Sequence, residues 1–175
     1  GSFNTSLLRA AAHLMPEGAS MLLETCAGVP LYDADLESAQ GIPERVKTLK
    51  DSIQNAQGLL IATPEYNNSI PGVLKNTIDW LSRPTPQPFA GKPMAVFGAA
   101  GGPLGTARAQ YHLRQIMVFL DGRFVNKPEV MIGAAPSKFD ANGNFTDEVG
   151  VKLLTDLGAA LALACRKARA AASVT

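Results

Sequence analysis

The sequence predicts an α/β fold: a parallel sheet between two layers of helices. Three observations predict it. Residues 58–63 and 93–100 are short, almost unbroken apolar runs with no polar face, the pattern of strands buried on both sides. Segments with apolar residues at helical spacing alternate with these runs, as the crossovers of a parallel sheet require. Both runs end at loops rich in Pro, Gly or Asn, where open parallel sheets bind ligands, outside the carboxyl ends of their strands.

Taken in order, Ser6 to Leu14 has leucines and alanines at helical spacing, with Asn4 to Ser6 as cap candidates. Ser20 to Glu24 is short and apolar, and reads as a strand. A loop follows through Val29-Pro30-Leu31-Tyr32-Asp33. Ile42 to Ala56 reads as an amphipathic helix opened by Pro43, a tolerated early helical position. The 58–63 strand leads through a loop, Pro64 to Ser69, into a helix over Pro71 to Leu81. The strand from Pro93 to Ala100 leads through a glycine-rich turn into a helix from Thr106 to Leu120. A last strand falls within Asn126 to Gly133, and Thr146 to Arg169 closes the chain as a helix. No internal repeat or low-complexity linker interrupts this alternation, so residues 1–175 read as a single domain.

Composition narrows the function. Of the 175 residues 46% are apolar, enough for a substantial core, and Gly and Pro are dispersed. A net charge of +1 gives no broad electrostatic case for nucleic acid or for a membrane surface, nor the acidic excess expected of a carrier that docks on basic proteins. The longest apolar runs, such as Gly158 to Ala164, fall far short of the roughly 20 residues that cross a bilayer. No secretory pattern opens the chain, so the expected location is the cytoplasm. Cys26 and Cys165 match no metal or redox spacing and read as reduced thiols, with no metal site expected.

The most distinctive segment is Thr63-Pro64-Glu65-Tyr66-Asn67-Asn68-Ser69-Ile70-Pro71-Gly72-Val73-Leu74-Lys75-Asn76-Thr77-Ile78-Asp79-Trp80-Leu81. It resembles the signature of the NADPH-dependent FMN reductase family, and within it the bacterial chromate and quinone reductases. Gly1 to Ser6 resembles the second half of that family's phosphate loop. Gln110 to Ile116 and Asn126 to Glu129 extend the resemblance over nearly the whole chain.

The resemblance implies a three-layer, flavodoxin-like sandwich with strand order 2-1-3-4-5. It implies noncovalent FMN, NADPH or NADH as donor, and quinones, azo or nitro compounds, or oxyanions such as chromate as acceptors, used in turn at one site. Ser2, Asn4, Thr5 and Ser6 would meet the FMN phosphate at a helix N-terminus; plain capping is the other reading of the same residues. Pro64, Glu65, Tyr66 and Asn67 would flank the flavin ring, Glu65 and Asn67 mainly through loop shape, with a half-buried loop aromatic the alternative for Tyr66. Ala100, Gly101 and Gly102 leave room for close backbone approach. Relatives often carry hydroxyl residues where Ala99 and Ala100 stand here. No catalytic side chain is needed, since hydride transfer belongs to the flavin.

Arg108, Tyr111 and Glu129 are expected near the site at a subunit boundary of a homodimer or homotetramer; a solvated helix face is the alternative. Arg83 and Lys92 flank a proline-rich loop that could border the substrate entrance or simply be solvated. His13 and His112 read as structural, and Trp80 as core. The first, central strand of such a sheet is expected upstream of Gly1, with an accidental match of Gly1-Ser2 to the family as the other possibility. A flavin-bearing electron carrier is the rival from another functional class, and an azoreductase with little chromate activity the rival among enzymes.

Overall fold

The computed structural model describes residues 1–173. Its elements are α1 (Phe3–His13), α2 (Ala34–Gln40), α3 (Glu44–Asn55), β1 (Leu59–Ala62), α4 (Gly72–Leu81), β2 (Pro93–Ala99), α5 (Ala107–Phe119), β3 (Arg123–Phe124), β4 (Val130–Ile132) and α6 (Glu148–Ala172), with a single 3₁₀ turn at Ala135–Ser137.

All strand pairings are parallel, and β2 is the hub. It pairs with β1 from Met94 to Phe97 along one edge. Along the other it pairs first with β3, at Pro93 and Met94, and then with β4, from Phe97 to Ala99. Residues 123–132 thus run as one interrupted strand, with Pro128, which lacks a ladder amide, in the gap.

Every residue of β2 is buried, and its alternation divides the core in two. Met94 and Val96 join Val46, Leu49, Ile78, Trp80, Leu113 and Met117 on the side of α3, α4 and α5. Ala95, Phe97 and Ala99 join Leu7, Ala11, Leu154, Leu157 and Leu161 on the side of α1 and α6. This is the three-layer sandwich the sequence predicts. Gly98 is required by the close packing at the strand's end, where a Cβ would run into the Thr63 carbonyl and the Thr106 side chain.

Two expectations change. Ser20 to Glu24 forms no strand: the segment joins no ladder, and Leu22 is 75% exposed. An open groove of about 680 Å³ separates it from β1, lined by Met21, Leu23, Leu60, Ala62 and Leu161 among others. Among the described residues β1 pairs with β2 alone, in line with the last three positions of the expected order 2-1-3-4-5 for β1, β2 and β3/β4. The second change concerns β1. β1 was expected to be buried on both faces, yet all four of its residues are only half-buried because one edge borders the groove.

α2 falls in the stretch between the 29–33 loop and the Ile42–Ala56 helix, to which the sequence assigns no element. Asp33 nucleates it, its carboxylate accepting the amides of Asp35 and Leu36. The loop before it is pinned from α4, where Asn76 Nδ2 and Trp80 Nε1 both donate to the Pro30 carbonyl. Trp80 is fully buried, as predicted. No helix among the described residues is long and apolar enough to cross a membrane.

Candidate functional site

Three segments meet at the carboxyl ends of β1 and β2: the start of α1, the 64–69 loop and the 100–103 turn. Asn4 draws the first of these in. Its Nδ2 donates to the Ala99 carbonyl and its Oδ1 accepts the Ala99 amide, both at 2.9 Å, and the side chain is buried. The Asn4 carboxamide thus spends one N–H and one oxygen lone pair on the end of β2, a structural task beside the phosphate role the resemblance implies. Ser2 is the N-cap, accepting weakly from the Thr5 amide at 3.4 Å. Ser2 and Thr5 are exposed and Ser6 half-buried, around a helix end whose first amides have no partner within the helix.

The 64–69 loop is a hairpin. Tyr66 and Ser69 exchange backbone hydrogen bonds, at 2.9 Å from the Tyr66 amide and 3.0 Å from the Ser69 amide. Asn67 and Asn68 between them have φ of 50° and 63°, the left-handed pair that a tight two-residue turn demands and that Asn tolerates best after Gly. Asn67 is thus a turn-former at the exposed tip, and Tyr66 is 61% exposed. Glu65 turns the other way. Its side chain is only 10% exposed, its Oε2 accepts the Ala109 amide at 3.1 Å, and its Oε1 pairs with Arg108 Nη1 at 3.3 Å. α5 has no side-chain cap from Thr106, so Glu65 supplies one from another part of the chain.

The third segment is tied down by residues that sequence reasoning did not single out. Ala100 donates to the Ile132 carbonyl, Ala135 donates to that of Ala100, and Ala134, itself at φ 49°, donates to that of Gly102. Gly101 and Gly102 are exposed, with nothing within 4 Å of where a Cβ would stand, so the turn leaves open space beside its backbone. Fully buried Gln110 donates to Thr106 Oγ1 and to the Val130 carbonyl, holding the start of α5 to β4. A lone Gln in an amphipathic helix carries no signal of this kind.

On the outer face of α5, Tyr111 donates from its hydroxyl to Glu129 at 2.7 Å, and that bond raises the phenol above its ordinary pKa. Arg114 lies over the Phe124 ring and donates to the Asn126 side chain and the Val125 carbonyl. Arg108 and Glu129 are therefore already paired within the chain. Arg83 is not brought to this region. It follows α4 at the end opposite the hairpin, paired with Glu37 at 3.0 Å and packed over Tyr32. Lys92 is spent on the Ala56 carbonyl at 2.6 Å. His112 meets Ser69, with 3.0 Å between Nδ1 and Oγ.

Residues 1–137 match the family model described as NADPH-dependent FMN reductase. The chain is 50% identical over 169 residues to an NAD(P)H-dependent FMN reductase of Pseudomonas aeruginosa, covering 97% of this chain and 91% of that protein. It is 48% identical over 141 residues to a quinone reductase of Escherichia coli K12, covering 80% and 75% respectively. Among solved structures it resembles the flavoenzyme NAD(P)H:(acceptor) oxidoreductase of Paracoccus denitrificans, with a TM-score of 0.83, 34% identity and coverage of 95% and 91%.

Proposed function

Because the chain belongs to the NADPH-dependent FMN reductase family, we propose that it oxidises NADPH or NADH and reduces quinones and other small acceptors through noncovalent FMN. The observation that carries this reading is the convergence of three differently built segments on one open face at the strand ends. The residues there fit the cofactor. The amides of the first turn of α1, with Ser2, Thr5 and Ser6 beside them, offer donors and a favourable dipole to a phosphate. The exposed hairpin from Pro64 to Asn67 and the open turn at Ala100, Gly101 and Gly102 offer backbone groups and flat apolar surface to a ring.

FMN, when bound, supplies the hydride and electron chemistry. The chain's own part is binding, orientation and exclusion of water. Donor and acceptor would use the same open face in turn, a ping-pong order, and chromate is one acceptor such a face would admit. Arg83, paired with Glu37 beyond the far end of α4, lies away from this face. The assembly we propose is a homodimer or homotetramer joined through the outer face of α5, near Arg108, Tyr111 and Glu129.

The test is an anaerobic absorbance trace of FMN-loaded protein mixed with NADPH, then with benzoquinone or chromate. The oxidised band near ~450 nm should fade with NADPH and return with the acceptor. Stable FMN without fading would indicate a carrier, and no FMN binding would end this reading.

A further inference from the structure

We propose that Glu65 and His112 are positioning residues that clamp the 66–69 hairpin to α5 and so fix the surface it presents to the flavin. The proposal rests on the FMN reading above and assigns the two side chains a task within it.

The hairpin cannot hold itself. It consists of one pair of backbone hydrogen bonds around two left-handed residues, and an isolated two-stranded turn is marginal in water. Burial does not hold it either, since Tyr66, Asn67 and Asn68 are all exposed. Its orientation must come from its flanks, and both flanks reach the same helix. On the entry side the Glu65 carboxylate accepts the Ala109 amide and pairs with Arg108. On the exit side Ser69 Oγ meets His112 Nδ1.

Ala109 and His112 are three residues apart and so are neighbours on one face of α5. The two ends of the hairpin are thus fastened one helical turn apart, on a helix that is itself pinned to the sheet by buried Leu113 and Met117. The entry tie is the stronger of the two. It is a charge-assisted hydrogen bond at a helix N-terminus, nearly excluded from water, where the dipole and the desolvated setting both favour the carboxylate. The exit tie is exposed and correspondingly weaker. Ile70, the residue after the hairpin, is buried, but it lies outside the turn.

A carboxylate whose role was to touch the flavin would face the open side. Glu65 faces α5, so its influence on the cofactor passes through the hairpin backbone.

The experiment compares the whole protein with Glu65→Ala, Glu65→Gln and His112→Ala. Three quantities are read: FMN affinity by fluorescence quenching, the visible spectrum of bound FMN, and amide exchange at Tyr66 and Ser69 in FMN-free protein. Glu65→Ala should weaken FMN about ten-fold, the scale of one charge-assisted bond, shift the bound spectrum and speed exchange at both amides. Glu65→Gln keeps an acceptor for the Ala109 amide and should recover most of the affinity. His112→Ala should speed exchange at Ser69 more than at Tyr66 and weaken FMN by about three-fold, in line with a single exposed hydrogen bond.

The clamp is overturned if wild-type protein binds FMN while Glu65→Ala shows the same affinity, spectrum and exchange. If wild-type protein fails to bind FMN, the cofactor reading falls, and exchange in the FMN-free variants still decides the clamp. Should Glu65→Ala fail to fold, His112→Ala decides: unchanged Ser69 exchange and FMN affinity would sink the proposal.

Discussion

The Asn4 carboxamide hydrogen-bonds both backbone groups of Ala99, and removing it would strand two polar groups in a buried setting. Asn4→Ala is therefore expected to cost about 2–4 kcal/mol, read as a lower midpoint in urea denaturation. Unchanged stability with much weaker FMN binding would instead return Asn4 to the phosphate. Asn4 and Glu65 share a lesson. Each belongs to a motif that the family resemblance assigns to the cofactor, and each spends its side chain on a backbone partner far along the chain. The motif was legible because residue types at fixed spacing are visible in one dimension. The partner was not, because Ala99 and Ala109 are ordinary residues brought close only by the fold.

At the scale of elements, helices were read more securely than strands. The apolar stripes of α3, α4, α5 and α6 are local properties, and all four form close to where the spacing puts them. A strand is completed by its neighbour. Ser20 to Glu24 has strand-like composition but borders a groove, and among the described residues β1 is paired along one edge only. The Thr63 amide donates to Phe97 in β2, so by the period of two the Ile61 amide faces β2 and those of Leu60 and Ala62 face the groove. In this chain Leu60 and Ala62 should exchange their amide hydrogens faster than Ile61 and Thr63, measured by NMR. Equal protection at all four would mean that the groove edge is covered. α2 escaped the sequence reading because seven residues carry too few turns for periodicity to show, and its Asp33 cap resembles any loop aspartate.

Across the whole molecule, the outer surface of α5 leaves Tyr111, Val118 and Phe119 at 55%, 78% and 92% exposure. Large apolar groups gathered on one helix face suit a covered surface better than a solvated one. If that face joins subunits, Phe119→Asp should lower the mass seen by light scattering toward that of one chain, 18.4 kDa, and Arg108→Ala should weaken association at low protein concentration. An unchanged oligomer would move the contact elsewhere, and a monomeric wild-type protein would remove the assembly proposal. Arg108 also touches Glu65, so a contact at this face would lie one ion pair away from the hairpin.

Sequence alone was enough for the α/β class, the sites of the main helices, three of the strands and the loops at the strand ends. Those features depend on local periodicity, on Pro, Gly and Asn at turns, and on a motif of fixed spacing. Which side chains of the motif are bound to distant backbone groups, and that Arg83 lies at the far end of α4, came only with the fold. Those outcomes depend on groups far apart in the chain competing for the same hydrogen bonds and the same space, and no local pattern records the result of that competition.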